Sequence, residues 1–329
     1  MRLEEVVNQF LLDCEVKGRT KATLVDYRYR LHVLLRLLQE VCMEDGKSVR
    51  ITDLEQVKIV YLRQCIQHLL TAKRVYHRGR RCESDTLAPT TVRACVRVYK
   101  SFFHWCYIEE LINQDLSARL TSPKVPVRVV SAFTPEHIER MLETCDTSTT
   151  TGFRNYVILL LLLDTGMRIG ELCGLTVSHV YDRFVRVFGK GRREREIGIH
   201  PEVSKLLWKY IHKYRRPLDP DETALFIGRG KPLHIDGVQD LIKRIQRKSG
   251  LDHIRFTAHV FRHTFAKEYL AKGGEIFKLS REMGHSDIQV TKNYLEDFTS
   301  SDARKVHTAF SPVSDIKLKK KHHRKQKRE

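Results

Sequence analysis

The sequence contains no apolar run approaching the ~18 residues that a membrane-spanning helix needs. Its longest, Tyr156 to Leu163, stops after eight residues and reads as a buried helix. The N-terminus shows no apolar leader segment, and Glu4 and Glu5 come early instead. The expectation is therefore a cytoplasmic protein with no membrane association. Eight cysteines are scattered at positions 14, 42, 65, 82, 95, 106, 145 and 173, with no Cys-x-x-Cys among them. That argues against a zinc site or a redox pair. Most fall at apolar helical positions, where a thiol behaves as a small buried hydrophobe, and this fits a reducing compartment. There is no internal repeat. The clustered carboxylates that a two-metal nuclease would use are also missing, so neither a metal nor another cofactor is expected.

Acidic residues are in deficit. Forty Asp and Glu face 59 Lys and Arg, giving a formal charge of +19 and an isoelectric point near 9.6. An ordinary basic protein is the plain reading, but a surplus of this size favours a polyanionic partner. Lys317 to Arg328 holds eight Lys or Arg in twelve residues and reads as a disordered tail, 311–329, that binds polyanions without sequence preference. Without those eight charges the body would still carry about +11, so the body too is built for an anion.

At 329 residues and 41% hydrophobic, the chain suits two domains with real cores. Leu3, Val6, Val7, Phe10, Leu11 and Cys14 keep the helical period over Leu3–Val16. Thr20 caps a second helix with Leu24, Tyr27, Leu31, Leu34, Leu35, Leu38 and Val41 on one face. A third is expected over about Asp53–Thr71 and a fourth over about Pro89–Glu110. Between them, Lys73–Asp85 reads as a basic loop whose Arg74, Arg78, Arg80 and Arg81 touch phosphates. Residues 1–120 thus form a helical domain. Residues 121–133, with Pro123, Lys124, Pro126 and Arg128, form a basic linker lying on an anion.

A second domain opens at Thr134-Pro135, an N-cap followed by proline at the first helical position. A buried helix over Phe153–Leu163 ends at Asp164-Thr165-Gly166, and another starts at Arg168. Arg183–Phe188 and Glu194–Ile199 alternate like strands around Gly189-Lys190-Gly191-Arg192, a hairpin with a basic tip. Helices follow over about Glu202–Arg215, Gly237–Ser249, His259–Lys272, Ile276–Met283 and Ile288–Phe298.

Four short strings carry chemistry: Thr165-Gly166-Met167-Arg168-Ile169-Gly170-Glu171, Gly189-Lys190-Gly191, His259-Val260-Phe261-Arg262-His263, and Gly284-His285-Ser286 with Tyr294 nine residues past His285. Singly, each has a bland reading. Arg168 and Glu171, three apart at a helix start, would be a surface ion pair worth a few tenths of a kcal/mol. Lys190 would be a solvated turn lysine, His285 a loop histidine and Tyr294 a core aromatic. Together they fit attack of a tyrosine hydroxyl on a phosphodiester. Arginine forks match phosphate oxygens, histidine moves protons near neutral pH, and tyrosine can be a covalent nucleophile. Gly166 and Gly170 allow close backbone approach.

In order and spacing these strings resemble the tyrosine recombinases, the phage integrase family, over about residues 134–300. The N-terminal part matches only in size, helicity and position. The resemblance implies a two-domain, mainly α fold: a helical SAM-like core-binding domain, then an α-rich catalytic domain (134–310) with a small antiparallel sheet, as in type IB topoisomerases. It implies that Arg168 and Arg262 clamp the phosphate, with Glu171 positioning Arg168. His259 transfers protons, His285 bonds the phosphate, Lys190 protonates the leaving 5′ oxygen and Tyr294 is the nucleophile. His263 packs in the core or bonds a carbonyl. Arg192 and Arg193 join the DNA contacts. It further implies double-stranded DNA at specific sites as partner, a free monomer that becomes a homotetramer on two duplexes, accessory DNA-bending proteins, and association with the nucleoid. Ala303 to Phe310 would dock on a neighbouring protomer.

Rival readings remain at this level: a type IB topoisomerase acting as a monomer, a DNA-binding module without catalysis, and a charge-driven nonspecific binder. Within the family, the absence of an extra N-terminal arm-binding domain points to Xer-like resolvases or mobile-element integrases. The Lys73–Asp85 loop and the basic tail tip the expectation towards a mobile element.

Overall fold

The computed structural model describes residues 1–71, 76–77, 80–81, 86–125, 131–189, 194–284 and 291. The chain divides into two compact units, Met1–Val127 and Arg128–Glu329, with the division inside the proline-containing linker.

The first unit is a bundle of α1 (Leu3–Val16), α2 (Lys21–Glu40), α3 (Ile59–Thr71) and α4 (Pro89–Ile108). The Thr20 hydroxyl accepts from the Thr23 amide and caps α2, as its sequence predicts. Leu31, Leu34, Leu35 and Leu38 are buried on the expected stripe. Phe10 of α1 sits at the centre, within 6.0 Å ring to ring of Tyr27, Phe102 and Trp105. The third helix starts later than its periodicity implies. Leu54–Gln56 forms a 3-10 turn, and extended Val57 interrupts the chain before α3 begins. The Lys73–Asp85 segment also differs, because Tyr76–His77 (β3) pairs antiparallel with Arg80–Arg81 (β4) where a plain loop was expected. An earlier pair, β1 (Met43–Glu44) with β2 (Lys47–Ser48), turns through Asp45 and Gly46, both at positive φ, the conformation that two-residue hairpins favour.

The second unit surrounds α6 (Thr150–Thr165), which is buried on nearly every side from Phe153 to Leu162. That explains its unbroken apolar reading. Preceding it is α5 (Pro135–Glu143), capped by Thr134 through the His137 amide. Then come the short α7 (Ile169–Cys173), the hairpin of β5 (Phe184–Phe188) and β6 (Glu194–Gly198), and α8 (Pro201–Lys209). Where one helix over 202–215 was expected, α8 gives way to a π-helical turn at Tyr210–Tyr214. A small hairpin, β7 (Ile227–Gly228) with β8 (Lys231–Pro232), leads to α9 (Ile235–Lys248), α10 (Ala258–Ala271) and α11 (Ile276–Met283). Val185 and Val187 of β5 and Ile197 of β6 face inward, so the two strands are fixed to the core.

Six of the cysteines, 14, 42, 65, 95, 106 and 145, are buried free thiols. Burial raises the Cys65 and Cys106 thiols above their ordinary value, as expected of small hydrophobes rather than reactive groups. Cys82 lies outside the described residues. Among the described residues, no helix is long and apolar enough to cross a membrane.

Candidate active site

The site is built where the C-terminal ends of α6 and α11 and the first turns of α10 meet the start of α7 and the start of β6. Gly166 terminates α6 in the left-handed conformation, φ 57°. A β-carbon there would stand 2.5 Å from the Phe265 ring, so glycine is required twice over, by backbone and by space. The Gly166 carbonyl accepts from Arg262 Nη1 at 2.8 Å. Gly170 differs from the expectation of close approach. The nearest atom to a β-carbon there, in Ile235, would be 3.8 Å away.

Arg168 opens α7. Its backbone amide donates to Glu171 Oε2 at 2.8 Å and its Nη1 to Oε1 at 3.0 Å. Its remaining contacts reach across to α11, with Nη1 donating to the Met283 carbonyl at 3.3 Å and Nη2 to that of Gly284 at 3.0 Å. Arg262, buried on α10 (4% exposed), donates from Nη2 to the same Met283 carbonyl at 2.6 Å. The two arginines of the separate boxes therefore converge on one atom. Their guanidinium charges also lie at a helix C-terminus, the end where cations are favoured.

A third arginine completes the group. Arg195 of β6 donates from Nη1 and Nη2 to the two oxygens of Glu171, both at 2.8 Å, and from Nε to the Glu282 carbonyl at 2.8 Å. The Glu171 and Arg195 side chains are only 5% and 14% exposed, so this is no surface ion pair. Burial alone would raise the Glu171 carboxyl, but its bonds to Arg195 and Arg168 outweigh that and hold it below its ordinary value. The carbonyls of Glu282, Met283 and Gly284 are thus each gripped by arginine, where a helix end otherwise leaves them unpaired.

Gly284 ends α11 with φ 65°, and a β-carbon on it would lie 2.7 Å from Arg195 Nη1. The glycine preceding His285 is therefore needed for both the left-handed cap and the seating of Arg195. Gly284→Ala is expected to lower stability by about 1–2 kcal/mol from the left-handed backbone alone, and further if Arg195 leaves Glu171. Thermal melting checks it, and an unchanged melting temperature would contradict this packing.

His259, near the start of α10, is exposed. It lines, with Arg168, Glu171, Gly189 and Lys243, a cleft of about 660 Å³ whose other walls are mainly apolar, among them Ile169, Phe188, Ile242 and Phe256. The structure thus brings together Arg168, Glu171 and Arg262 and sets His259 on the same cleft. His263 is buried on α10, in accord with a packing role. Lys190, Arg192, Arg193, His285 and Tyr294 lie outside the described residues. The residues just before Lys190 and His285 are described: Gly189 borders the cleft and Gly284 closes the arginine group. Lys124 is exposed in the linker. Arg80 and Arg81 are placed only as strand residues, and Arg74, Arg78 and Arg128 lie outside the described residues. No group of His, Cys, Asp and Glu that could hold a metal ion occurs among the described residues.

Sequence reasoning missed Arg195 as a site residue and Lys243 as a cleft residue. The signal for Arg195 was present, because in an alternating strand it shares a face with buried Ile197, and an arginine on an inward face needs a partner.

The profile of the phage integrase family matches residues 131–300, just over half of the chain. The chain belongs to this family. Among relatives it is 29% identical over 315 residues to the tyrosine recombinase XerD of Staphylococcus epidermidis, covering 94% of this chain and 98% of that one. Its fold is similar to that of the Tn1549 transposon integrase in complex with transposon right end DNA, with a TM-score of 0.72 at 20% identity over 94% of this chain and 99% of that one. It is also similar to the lambda integrase tetramer bound to a Holliday junction, with a TM-score of 0.66 at 17% identity over 87% and 78% of the respective chains.

Proposed function

We propose that the protein is a site-specific DNA recombinase that cuts and rejoins strands through a 3′-phosphotyrosine, without metal or nucleotide. The observation that carries this reading is the convergence of Arg168 and Arg262 on the Met283 carbonyl, two residues before His285 and eleven before Tyr294 in a chain of this family.

In the reaction the Tyr294 oxygen attacks phosphorus, its proton passes to His259, and the bond to the 5′ oxygen breaks. Lys190 gives that oxygen a proton. Arg168, Arg262 and His285 bond the non-bridging oxygens, whose charge grows in the transition state, so the same donors bind it more tightly than the ground state. A free 5′ hydroxyl from a second strand then attacks the phosphotyrosine in the reverse sense and releases Tyr294. One phosphodiester is broken and one made, which is why no energy source is required. Arg192, Arg193, Lys124, Arg128 and the arginines of 74–81 hold the flanking backbone, as the +19 charge favours.

Exchange between two duplexes needs four protomers, and we place this chain as a monomer when free and a homotetramer on DNA, with 303–310 as the exchanged segment. A mobile element is the favoured setting. Resolution of chromosome or plasmid dimers in the cytoplasm, with or without DNA-bending partners, is the second reading, favoured by the full-length match to XerD. Incubation with two distinguishable duplexes carrying the DNA that flanks its gene tests the assignment. Recombinant joints are the expected product. Relaxation of supercoils without joints would instead assign a type IB topoisomerase.

A further inference from the structure

Glu171 presents a difficulty to any enzyme that uses Arg168 as a phosphate clamp. A carboxylate beside the guanidinium neutralises the charge that should meet the phosphate. Two arginines and one carboxylate share this spot, and their bonds are not divided evenly. Arg195 takes Glu171 in a two-pronged fit at 2.8 Å on each oxygen. Arg168 makes one side-chain bond to it at 3.0 Å, leaves its Nε out of the pair, and is 42% exposed against 14% for Arg195. Fork-on-fork pairing is the stronger and more directional mode. The Arg195 stem is also fixed at its other end by the Glu282 carbonyl and under Gly284.

From this division of bonds we infer that Arg195 is a positioning residue that occupies the Glu171 carboxylate so that Arg168 offers its charge to the scissile phosphate. Glu171 is then free to orient Arg168 through one bond and its backbone amide without quenching it. The same guanidinium ties β6, five residues past Lys190, to the end of α11. It thereby couples the hairpin to the segment leading to His285. The inference rests on the recombinase reading of the site.

Arg195→Gln removes the charge that holds Glu171, and the carboxylate should then close fully on Arg168. The expected result is a fall of about 30-fold or more in the rate of covalent complex formation on a nicked duplex, with the Kd for that duplex changed less than about threefold. Glu171→Gln in the Arg195→Gln background removes the quenching carboxylate and should recover about tenfold of the lost rate. A purely structural role predicts the opposite, since the double variant loses more contacts. Arg195→Lys, which keeps a charge and most of the stem, should fall between wild type and Arg195→Gln, and it carries the test if the glutamine variant fails to fold. Wild-type rates in Arg195→Gln, or a double variant slower than the single, would overturn the inference while leaving the recombinase reading intact. If the wild-type protein forms no complex dependent on Tyr294, both fall together.

Discussion

Arg262→Ala should abolish detectable strand cleavage and also destabilise the second unit. The kinetic loss is expected to be about a thousandfold, the upper range for removing one preorganised donor at a developing oxyanion. The stability loss has a separate origin. Arg262 is 4% exposed, and it satisfies the carbonyls of Gly166 and Met283. The Met283 carbonyl keeps its longer bond from Arg168 Nη1 at 3.3 Å, but the Gly166 carbonyl loses this donor, and a buried carbonyl left without one costs about 1–3 kcal/mol. Lysine cannot bridge both acceptors with a planar fork, so Arg262→Lys should recover part of the stability and little of the activity. Urea unfolding monitored alongside single-turnover cleavage separates the two effects. An Arg262→Ala protein of native stability would show that the Gly166 carbonyl does not need this donor.

Glu171→Ala is expected to be the most destabilising single change in the site. Breaking a buried pair by removing one partner costs about 3–5 kcal/mol, because the remaining charge is left uncompensated. Here that charge is Arg195, only 14% exposed. Glu171→Gln keeps the shape and one acceptor oxygen, so it should cost less. The pH dependence follows from the sign of the shift. Glu171 is held below its ordinary value of 4.5, so the stability it contributes is complete above that value and is lost as pH falls through the lowered one. The gap between wild type and Glu171→Gln should accordingly close on acidification below about pH 4.5, read by thermal melting across pH. A gap that stays constant or widens would contradict the pairing.

These two changes also show what the sequence could and could not reveal. Arg168, Glu171 and Arg262 stand in strings whose spacing is itself the signal, and the structure brings them to one place. Helices with an uninterrupted 3.6-residue stripe were legible to the residue, as α1 and α11 show. The start of α3 was not, because extended Val57 is compatible with the apolar period and only its backbone angles break the helix. The β7–β8 hairpin escaped notice for a similar reason. Its turn uses Arg229 beside Gly230, both at positive φ, and an arginine there gives no turn signal. Its inward face beside Ile197 marked Arg195 as needing a partner, but that partner, Glu171, lies 24 positions away and nothing local identifies it. The carbonyl end of α11, held by three guanidinium groups, has no side-chain signature at all.

The most direct measurement is a covalent trap. The protein is mixed, in EDTA, with nicked duplexes drawn from the DNA flanking its gene, and products are resolved in SDS beside the Tyr294→Phe variant. The account predicts an SDS-resistant protein–DNA band in the wild type and none in the variant. A band that persists in Tyr294→Phe, or one that forms only when a divalent metal is supplied, would contradict it.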